Sequence, residues 1–231
     1  MKRFFYFCLL LLCGAGMVCG RTYEIKTGEF TRLKVPDNLN VVHRCDAQKS
    51  GTAHYDCEDS MADAILFTSN GRDLKVQISP DYIGMEDKLP TVYVYSELLG
   101  EVESSSSKRV VVSGVPRCVE FKAVLMGNGI LEVKDVDAHK VVGALMTGCG
   151  TVMIEGKTSD ALLKLAGAGD IQANELEAKK VTCHVFGSGN IHCSPVEEIK
   201  LKGLGTTNVY YKGNPVKVKK QGLGNLIHVG D

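Results

Sequence analysis

A short glycine-centred unit repeats six times in the second half of this chain. Each unit contains an alternating apolar run, a Gly-x-Gly turn and a second alternating run. Its first glycine recurs about every 20 residues, a period that indicates a repeat array rather than a sandwich. The six turns are Gly127-Asn128-Gly129, Gly148-Cys149-Gly150, Gly167-Ala168-Gly169, Gly187-Ser188-Gly189, Gly203-Leu204-Gly205 and Gly222-Leu223-Gly224.

Apolar residues recur at fixed positions around each turn. Because successive side chains of a strand point to opposite faces, these columns predict one shared buried face. Leu165, for example, is predicted to be buried between Met146 and Val185. Two positions before the first glycine stand Leu125, Met146, Leu165, Val185, Leu201 and Lys220. Two positions after the second glycine stand Leu131, Val152, Ile171, Ile191, Thr207 and Leu226.

Strands that recur in one direction at this period predict an all-β, right-handed parallel β-helix with coils about 4.8 Å apart. Glycine suits the corners, because a sharp turn often needs positive φ and a Cβ would crowd the next coil. The last coil places Lys220 and His228 in columns that are apolar elsewhere. We therefore expect residues 221–231 to be a capping coil in a shifted register, with Ile227 and Val229 facing inward.

Residues 1–20 are typical of a secretory signal peptide. Lys2 and Arg3 precede an apolar run that is too short to span a bilayer as a helix. A lipoprotein signal at Cys13 or Cys19 is the alternative, but neither follows the small residue that usually precedes a lipidated cysteine. Residues 21–231 are predicted to form a single domain. Its part 21–108 is less regular β structure, with 97–108 as a connecting loop, and its part 109–231 contains the regular coils.

Composition excludes few kinds of partner. Basic and acidic residues are equal in number, 27 each, so the global charge does not favour nucleic acid. The cysteines beyond the signal segment could pair in an exported chain. Cys45 and Cys57 flank a predicted hairpin and are the best-placed pair. Cys183 and Cys193 occupy apolar columns, as buried thiols do.

Several phrases resemble the bacterial head GIN domain family, whose members carry an auto-transporter adhesin label. The resemblance covers most of the chain beyond residue 20 and implies a right-handed β-helix in the envelope of a Bacteroidetes-type bacterium. It implies no active site. The chain departs from the family pattern at Ser113-Gly114-Val115-Pro116, where a Gly-x-Gly turn is expected. The matching phrases are Glu29-Phe30-Thr31-Arg32-Leu33-Lys34-Val35, Ala166-Gly167-Ala168-Gly169-Asp170-Ile171, Gly187-Ser188-Gly189-Asn190-Ile191 and Val209-Tyr210-Tyr211-Lys212-Gly213-Asn214-Pro215.

No residue pattern specifies a catalytic or metal site, and no cofactor is predicted. Cys183-His184 and His192-Cys193 flank one turn, but alternation sends the thiols inward and the imidazoles outward. A glycan-cleaving enzyme needs paired acids on one face. The predicted outward column lacks such a pair: it holds Glu132, Gln172, His192 and Asn208.

The signal segment, the repeat columns and the missing acid cluster favour an exported, non-enzymatic β-helix that binds a partner in the manner of an adhesin. The predicted location is the periplasm or cell surface of a Gram-negative bacterium. Two alternatives stay open. One is a carbohydrate-active β-helix enzyme, a polysaccharide lyase or hydrolase, and the other is a purely structural assembly protein.

Four lysines on the outward side of the last two coils form the candidate binding site: Lys200, Lys202, Lys217 and Lys219. The predicted stacking sets Lys200 over Lys219, so like charges meet. Solvated edge lysines that deter aggregation are one interpretation. The other is a patch for an anionic partner: an acidic glycan, a lipid head group or another envelope protein. A homo-oligomer is also compatible with the pattern.

The same side is predicted to change character along the stack. It would grade from apolar to cationic, with the N-terminal half or a second subunit covering the apolar end. In the first two coils its predicted outward residues are Lys122, Val124, Met126, Gly143, Leu145 and Thr147.

Overall fold

Strands of successive repeats lie side by side in a computed structural model, which describes residues 20–230. They form a β-solenoid of about six turns, with 62% strand and 3% helix. The prediction of an all-β solenoid is confirmed, while the right-handed sense of the coil stays a prediction. Residues 1–19 of the predicted signal peptide, including Cys13 and Cys19, lie outside the described residues. No helix within residues 20–230 has the length and apolar character needed to cross a membrane.

The strands differ in length between the two parts of the chain. The N-terminal strands are β1 (Arg21–Lys26), β2 (Arg32–Val35), β3 (Val41–Arg44), β4 (Thr52–Cys57), β5 (Ile65–Ser69), β6 (Asp73–Ile78), β7 (Val92–Tyr95), β8 (Glu101–Ser104) and β9 (Arg109–Ser113), with short 3₁₀ helices at Asp59–Met61 and Pro80–Tyr82. The regular part contains β10 (Cys118–Met126), β11 (Ile130–Thr147), β12 (Thr151–Leu165), β13 (Asp170–Val185), β14 (Asn190–Gly203), β15 (Asn208–Tyr211), β16 (Lys217–Gly222) and β17 (Asn225–His228).

The long strands bend at corners, so each contributes to more than one side of the solenoid. Asp135 in β11 has a φ of 55° and Gly156 in β12 a φ of 133°, and both mark a bend. The later halves of β11 to β14 extend a first parallel ladder that also contains β6, β2, β8, β10 and β16. The earlier halves extend a second ladder with β7, β3, β9, β15 and β17. Their inward side chains, such as Phe121, Leu165 and Ile171, meet in one core.

The N-terminal strands do not stack in chain order. β2 pairs with both β6 and β8, and β3 pairs with both β7 and β9. The coil of β6 and β7 therefore lies outside the coil of β2 and β3. Antiparallel pairs complete this end, β4 with β7, β1 with β4 and β5 with β6. The pairs β8–β10 and β9–β11 join it to the regular coils.

A serine-rich corner replaces the glycine turn before the first repeat. Part of the loop predicted at residues 97–108 is a strand, β8, and the rest forms a corner directly beneath the first glycine turn. A Cβ added at Gly127 would lie 2.7 Å from the carbonyl oxygen of Ser105. Ser106 is buried, and its hydroxyl donates a hydrogen bond to the carbonyl of Leu39 at 3.1 Å.

The second unit is shifted by one residue from its predicted column. Leu165 is fully buried beside Val185, as predicted, but its other neighbour is Leu145 rather than Met146. A register shift after Leu125 absorbs the extra residue of this unit. Because a one-residue shift reverses the two faces of a strand, Leu145 is buried and Met146 is 42% exposed.

The fifth unit is shifted by two residues. Gly205, rather than Gly203, lies against Gly187, and Val209 takes the column predicted for Thr207. A shift of two leaves each side chain on its predicted face, so the inward and outward assignments survive.

The last coil keeps the register of the others. Leu226 pairs with Val209 and packs against the core, so the predicted shift that turns Ile227 and Val229 inward is wrong. Lys220 does lie beside a core position, Leu201, as its column predicts. The outer edge of this coil meets solvent, which accommodates its ammonium group.

The cysteines confirm one prediction and contradict another. Cys183 and Cys193 are buried thiols, as expected. Cys45 and Cys57 are not joined. Cys45 follows β3 near the Thr52 end of β4, whereas Cys57 ends β4, about 17 Å further along at the rise of a strand.

Candidate functional site

The four candidate lysines lie together on the outer face of the first ladder. Lys200 and Lys202 belong to β14, and Lys217 and Lys219 belong to β16. Lys200 lies beside Lys219, and Glu198 beside Lys217, as the sequence columns predict. Three of the lysines are exposed and Lys200 is half-buried. These four residues are named the lysine patch.

One carboxylate is shared by two lysines of the patch. Glu198 Oε1 lies 3.2 Å from Lys219 Nζ and 3.8 Å from Lys200 Nζ. The nearby ammonium group of Lys219 lowers the pKa of Glu198, which keeps this carboxylate ionised. One anion against four ammonium groups leaves the patch with net positive charge. Such a field attracts anions most strongly at low ionic strength.

The opposite end of the same face is electrically balanced. Arg32 Nη2 lies 3.1 Å from a carboxylate oxygen of Glu101, and Lys34 Nζ lies 3.0 Å from one of Asp73. The hydrogen bond from Lys34 lowers the pKa of Asp73. Unbalanced positive charge is therefore a property of the patch end and not of the whole face.

The predicted apolar end of this face is present but contains partly different residues. Val124 and Met126 are half-buried on the outer side of β10, as predicted. Gly143 and Leu145 point into the core, because of the one-residue shift, and not outward as predicted. Val142 and Ala144 take the outward positions and are nearly covered, with 7% and 3% exposed. The outward side chains at this end are therefore apolar, as expected, but the prediction is wrong for Gly143 and Leu145.

An exposed apolar stripe runs along the corner beside the lysine patch, and the sequence columns did not reveal it. Four successive coils each contribute the first residue after their ladder strand, and the coil before them contributes Met146, one residue before the end of β11. Hydrogen bonds from Phe186 N to the carbonyl of Leu165 (2.8 Å) and from Leu204 N to that of Val185 (3.0 Å) hold these residues in line. The apolar stripe consists of Met146 (42% exposed), Ala166, Phe186 (66%), Leu204 (72%) and Leu223 (60%).

A groove with alternating charges crosses the side of the solenoid between the two ladders. Asp137, Lys157 and Glu177 lie side by side in successive coils, and Arg117 lies 3.9 Å from Asp137. The two carboxylates are two coil steps apart, about 10 Å, with an ammonium group between them. An inverting glycosidase places its acids about 6.5–9.5 Å apart with room for a water.

The cysteine and histidine pairs around the fourth turn point in opposite directions. Cys183 and Cys193 are buried in the core, while His184 and His192 are on the outer side, as alternation predicts. His192 stacks on Tyr210, with ring centroids 4.9 Å apart. Within residues 20–230, no three His, Cys, Asp or Glu side chains converge as a metal site requires.

Asn208 belongs to a polar ladder at a corner and not to the predicted outward column with His192. Asn190 Nδ2 donates to Asp170 Oδ1 at 2.9 Å, and Asn225 Nδ2 donates to Asn208 Oδ1 at 2.9 Å. A longer contact of 3.4 Å joins Asn208 to Asn190. These side chains connect successive coils, so the ladder is structural.

A β-solenoid with flat, exposed side-chain ladders is the class of protein that this fold and site define. Residues 29–215 match the model of a family described as "Putative auto-transporter adhesin, head GIN domain". The match spans most of the chain, and the protein belongs to this family. No curated protein matches the sequence.

Solved structures with this fold include proteins from Bacteroides and Parabacteroides. A "putative adhesin" from Bacteroides fragilis NCTC 9343 is 20% identical, with a TM-score of 0.80 over 92% of this chain and 98% of that one. A "Putative lipid binding protein" from Parabacteroides distasonis ATCC 8503 is 18% identical, with a TM-score of 0.65 over 92% and 97%. A "putative adhesin" from Parabacteroides merdae ATCC 43184 is 18% identical, with a TM-score of 0.65 over 93% and 98%. At these identities the likeness concerns the fold.

Proposed function

We propose that this protein is an exported, non-enzymatic binding module of the bacterial envelope or cell surface, of the adhesin type. The family description and the signal-like segment at residues 1–20 support this proposal. The lysine patch is the binding surface, and its partner is anionic. The observation that carries this assignment is the excess of four ammonium groups over one carboxylate at a single end of the face.

Two ammonium groups of the patch are neighbours, although uncharged side chains would fit the same exposed positions. Lys200 and Lys219 are side by side in a parallel ladder, where like charges repel. The edge strand β16 also carries Lys217 and Lys219 outward, which discourages pairing with other chains. Glu198 offsets part of this repulsion, and an anionic partner would offset the rest, whereas edge protection alone would not.

Replacing all four patch lysines by serine tests the proposal. The purified protein and this variant are compared for binding to an acidic polysaccharide, such as alginate, and to phosphatidylglycerol vesicles at low salt. We expect the variant to bind at least about tenfold more weakly, and native binding to fall as the Debye length shortens towards about 8 Å. A matched control replaces exposed lysines elsewhere, Lys26, Lys75, Lys88 and Lys179. Equal binding by both variants would contradict the assignment.

A carbohydrate-active enzyme is the alternative function. The charged groove is the feature of the structure that supports it best. Asp137 and Glu177 are the carboxylates that could act there, although Lys157 lies between them. A screen for turnover of neutral and acidic polysaccharides is the test. If the native protein turns over a polysaccharide and Asp137→Asn or Glu177→Gln abolishes that turnover, the protein is an enzyme and the proposed binding function is wrong.

A further inference from the structure

The apolar stripe and the lysines lie on adjoining strips of the same edge. Lys164, His184 and Lys202 each stand two residues before a member of the stripe, in successive coils. Burial lowers the pKa of His184, and the positive charges of Lys202 and Lys164 lower it further. The imidazole is therefore neutral at neutral pH, and the cations beside the stripe are the lysines.

The stripe is long and accessible. The four steps between these five coils, at about 4.8 Å each, give a line of about 19 Å from Met146 to Leu223. Phe186, Leu204 and Leu223 expose 60–72% of their surface on this corner. Scattered apolar residues are normal on a protein surface, whereas a contiguous line of them marks an interaction site.

We propose that this corner docks on an anionic lipid bilayer, an inference that rests on the anion-binding function of the lysine patch. Phe186, Leu204 and Leu223 enter the boundary between head groups and acyl chains, and Lys202 and Lys200 contact the phosphates. An apolar line flanked by ammonium groups is the pattern of proteins that lie on anionic membranes.

Two other occupants fit the corner less well. An acidic glycan complements the lysines but offers no acyl region to the exposed phenyl and isobutyl groups. A second copy of this chain, packed stripe to stripe, would meet apolar groups flanked by Lys164 and Lys202, and so would offer the ammonium groups no anion. An anionic bilayer matches both the charge and the apolar line.

A tryptophan reporter tests insertion directly, because the protein contains no tryptophan. Phe186→Trp places the reporter in the stripe, and Val119→Trp places it at another exposed apolar position, 79% exposed, in the charged groove. With phosphatidylglycerol vesicles we expect a blue-shifted emission and protection from acrylamide for Phe186→Trp, and neither for Val119→Trp. Vesicles of phosphatidylcholine alone should shift neither reporter.

A serine series measures how much the stripe contributes. Replacing Phe186, Leu204 and Leu223 together by serine should weaken binding to anionic vesicles by at least about tenfold, because the apolar contact is lost. Binding to alginate should not change, since the lysine patch is intact. The matched control replaces Ile83, Val119 and Val196, which are exposed apolar residues elsewhere, and should bind vesicles normally.

The outcomes separate this inference from the proposed function. Vesicle binding that depends on the patch lysines, but leaves the Phe186→Trp emission unshifted, overturns insertion and leaves the anionic patch in place. Alginate binding without vesicle binding does the same. A blue shift that follows protein concentration in the absence of vesicles assigns the corner to self-association. If the native protein binds neither alginate nor phosphatidylglycerol vesicles, both proposals are wrong.

Discussion

At the scale of single residues, the turn glycines are explained by the closeness of neighbouring coils. A Cβ added at Gly187 or Gly189 would lie 1.8 or 1.7 Å from the carbonyl oxygen of the glycine in the coil before. Neither residue has positive φ. Gly148 differs, because it combines a φ of 85° with the same crowding. Both reasons expected from the sequence occur, and crowding is the more general.

Replacing Gly189 by alanine should therefore disrupt the corner. The obstacle is backbone, which cannot move as a side chain can, so we expect a loss of at least about 3 kcal/mol in unfolding free energy, the upper end of overpacking costs. The exposed neighbour Ser188 offers a control, and Ser188→Ala should cost under about 0.5 kcal/mol. Urea unfolding measures both. Similar losses in the two variants would mean that the coils can separate at this corner.

A buried histidine makes stability depend on pH. His43 is fully buried, and its Nε2 lies 3.0 Å from the carbonyl oxygen of Ser96. Burial lowers the pKa of His43 from 6.5 to about 4, against an opposing effect of that hydrogen bond. The unfolded chain therefore takes up a proton first as the pH falls.

Stability should fall as the pH drops from about 6.5 towards about 4, by roughly 3 kcal/mol from this residue. At higher pH the imidazole is neutral in both states and contributes no slope. His43→Gln keeps an N–H donor for Ser96 but does not titrate, so its urea-unfolding free energy should change less between about pH 7 and pH 5. An unchanged slope would show that His43 is protonated without opening the core.

At the scale of strands, each predicted side-chain direction was right or wrong according to the size of the register error. An even shift keeps a side chain on its predicted face, and an odd shift moves it to the other face. The fifth unit was misplaced by two residues, and its lysines still point outward as predicted. The second unit was misplaced by one residue, which exchanged the faces of Leu145 and Met146. The extra residue does appear in the glycine spacing, which is 21 residues from Gly127 to Gly148 and 19 from there to Gly167. Columns counted from the glycines nevertheless assign it to the wrong side of the turn.

The apolar stripe was missed for a related reason. Its members stand at different distances from the nearest glycine: Met146 is two residues before Gly148, and Phe186 is one before Gly187. Only the hydrogen-bond ladder shows that they share a line. The lysine patch was found because its residues are inside strands, where alternation alone sets direction.

The corrected register gives a sharp prediction for two adjacent residues. Leu145→Ala removes a fully buried side chain and should cost about 2–5 kcal/mol of unfolding free energy. Met146→Ala truncates a side chain at the surface and should cost under about 0.5 kcal/mol. The original columns predict the reverse order. Chemical denaturation of the two variants decides between the registers.

At the scale of the whole molecule, the two ends of the solenoid differ. The N-terminal end continues into antiparallel strands, because β4 pairs with β7 and β5 with β6. The placement of β6 and β7 outside β2 and β3 depends on contacts between distant parts of the chain, so local pattern could not predict it. The last coil is different: β16 and β17 are largely exposed, and their inward residues Val218 and Leu226 are only partly covered.

This asymmetry predicts the order in which the solenoid opens. In a stack where each coil contacts only its neighbours, an end coil lacks one of its two interfaces and opens most easily. Amides of β16 and β17 should therefore exchange with solvent deuterium at opening free energies well below those of β12 and β13, whose values should approach that of global unfolding. Amides of β2 and β3 should be protected like the middle coils, because each strand is paired on both sides.

If residues 21–231 form a single domain, β2, β3, β12 and β13 should also lose protection together as denaturant is added. Exchange in β2 and β3 as fast as in β16 and β17, or its separate loss in denaturant, would instead indicate an N-terminal part that unfolds on its own.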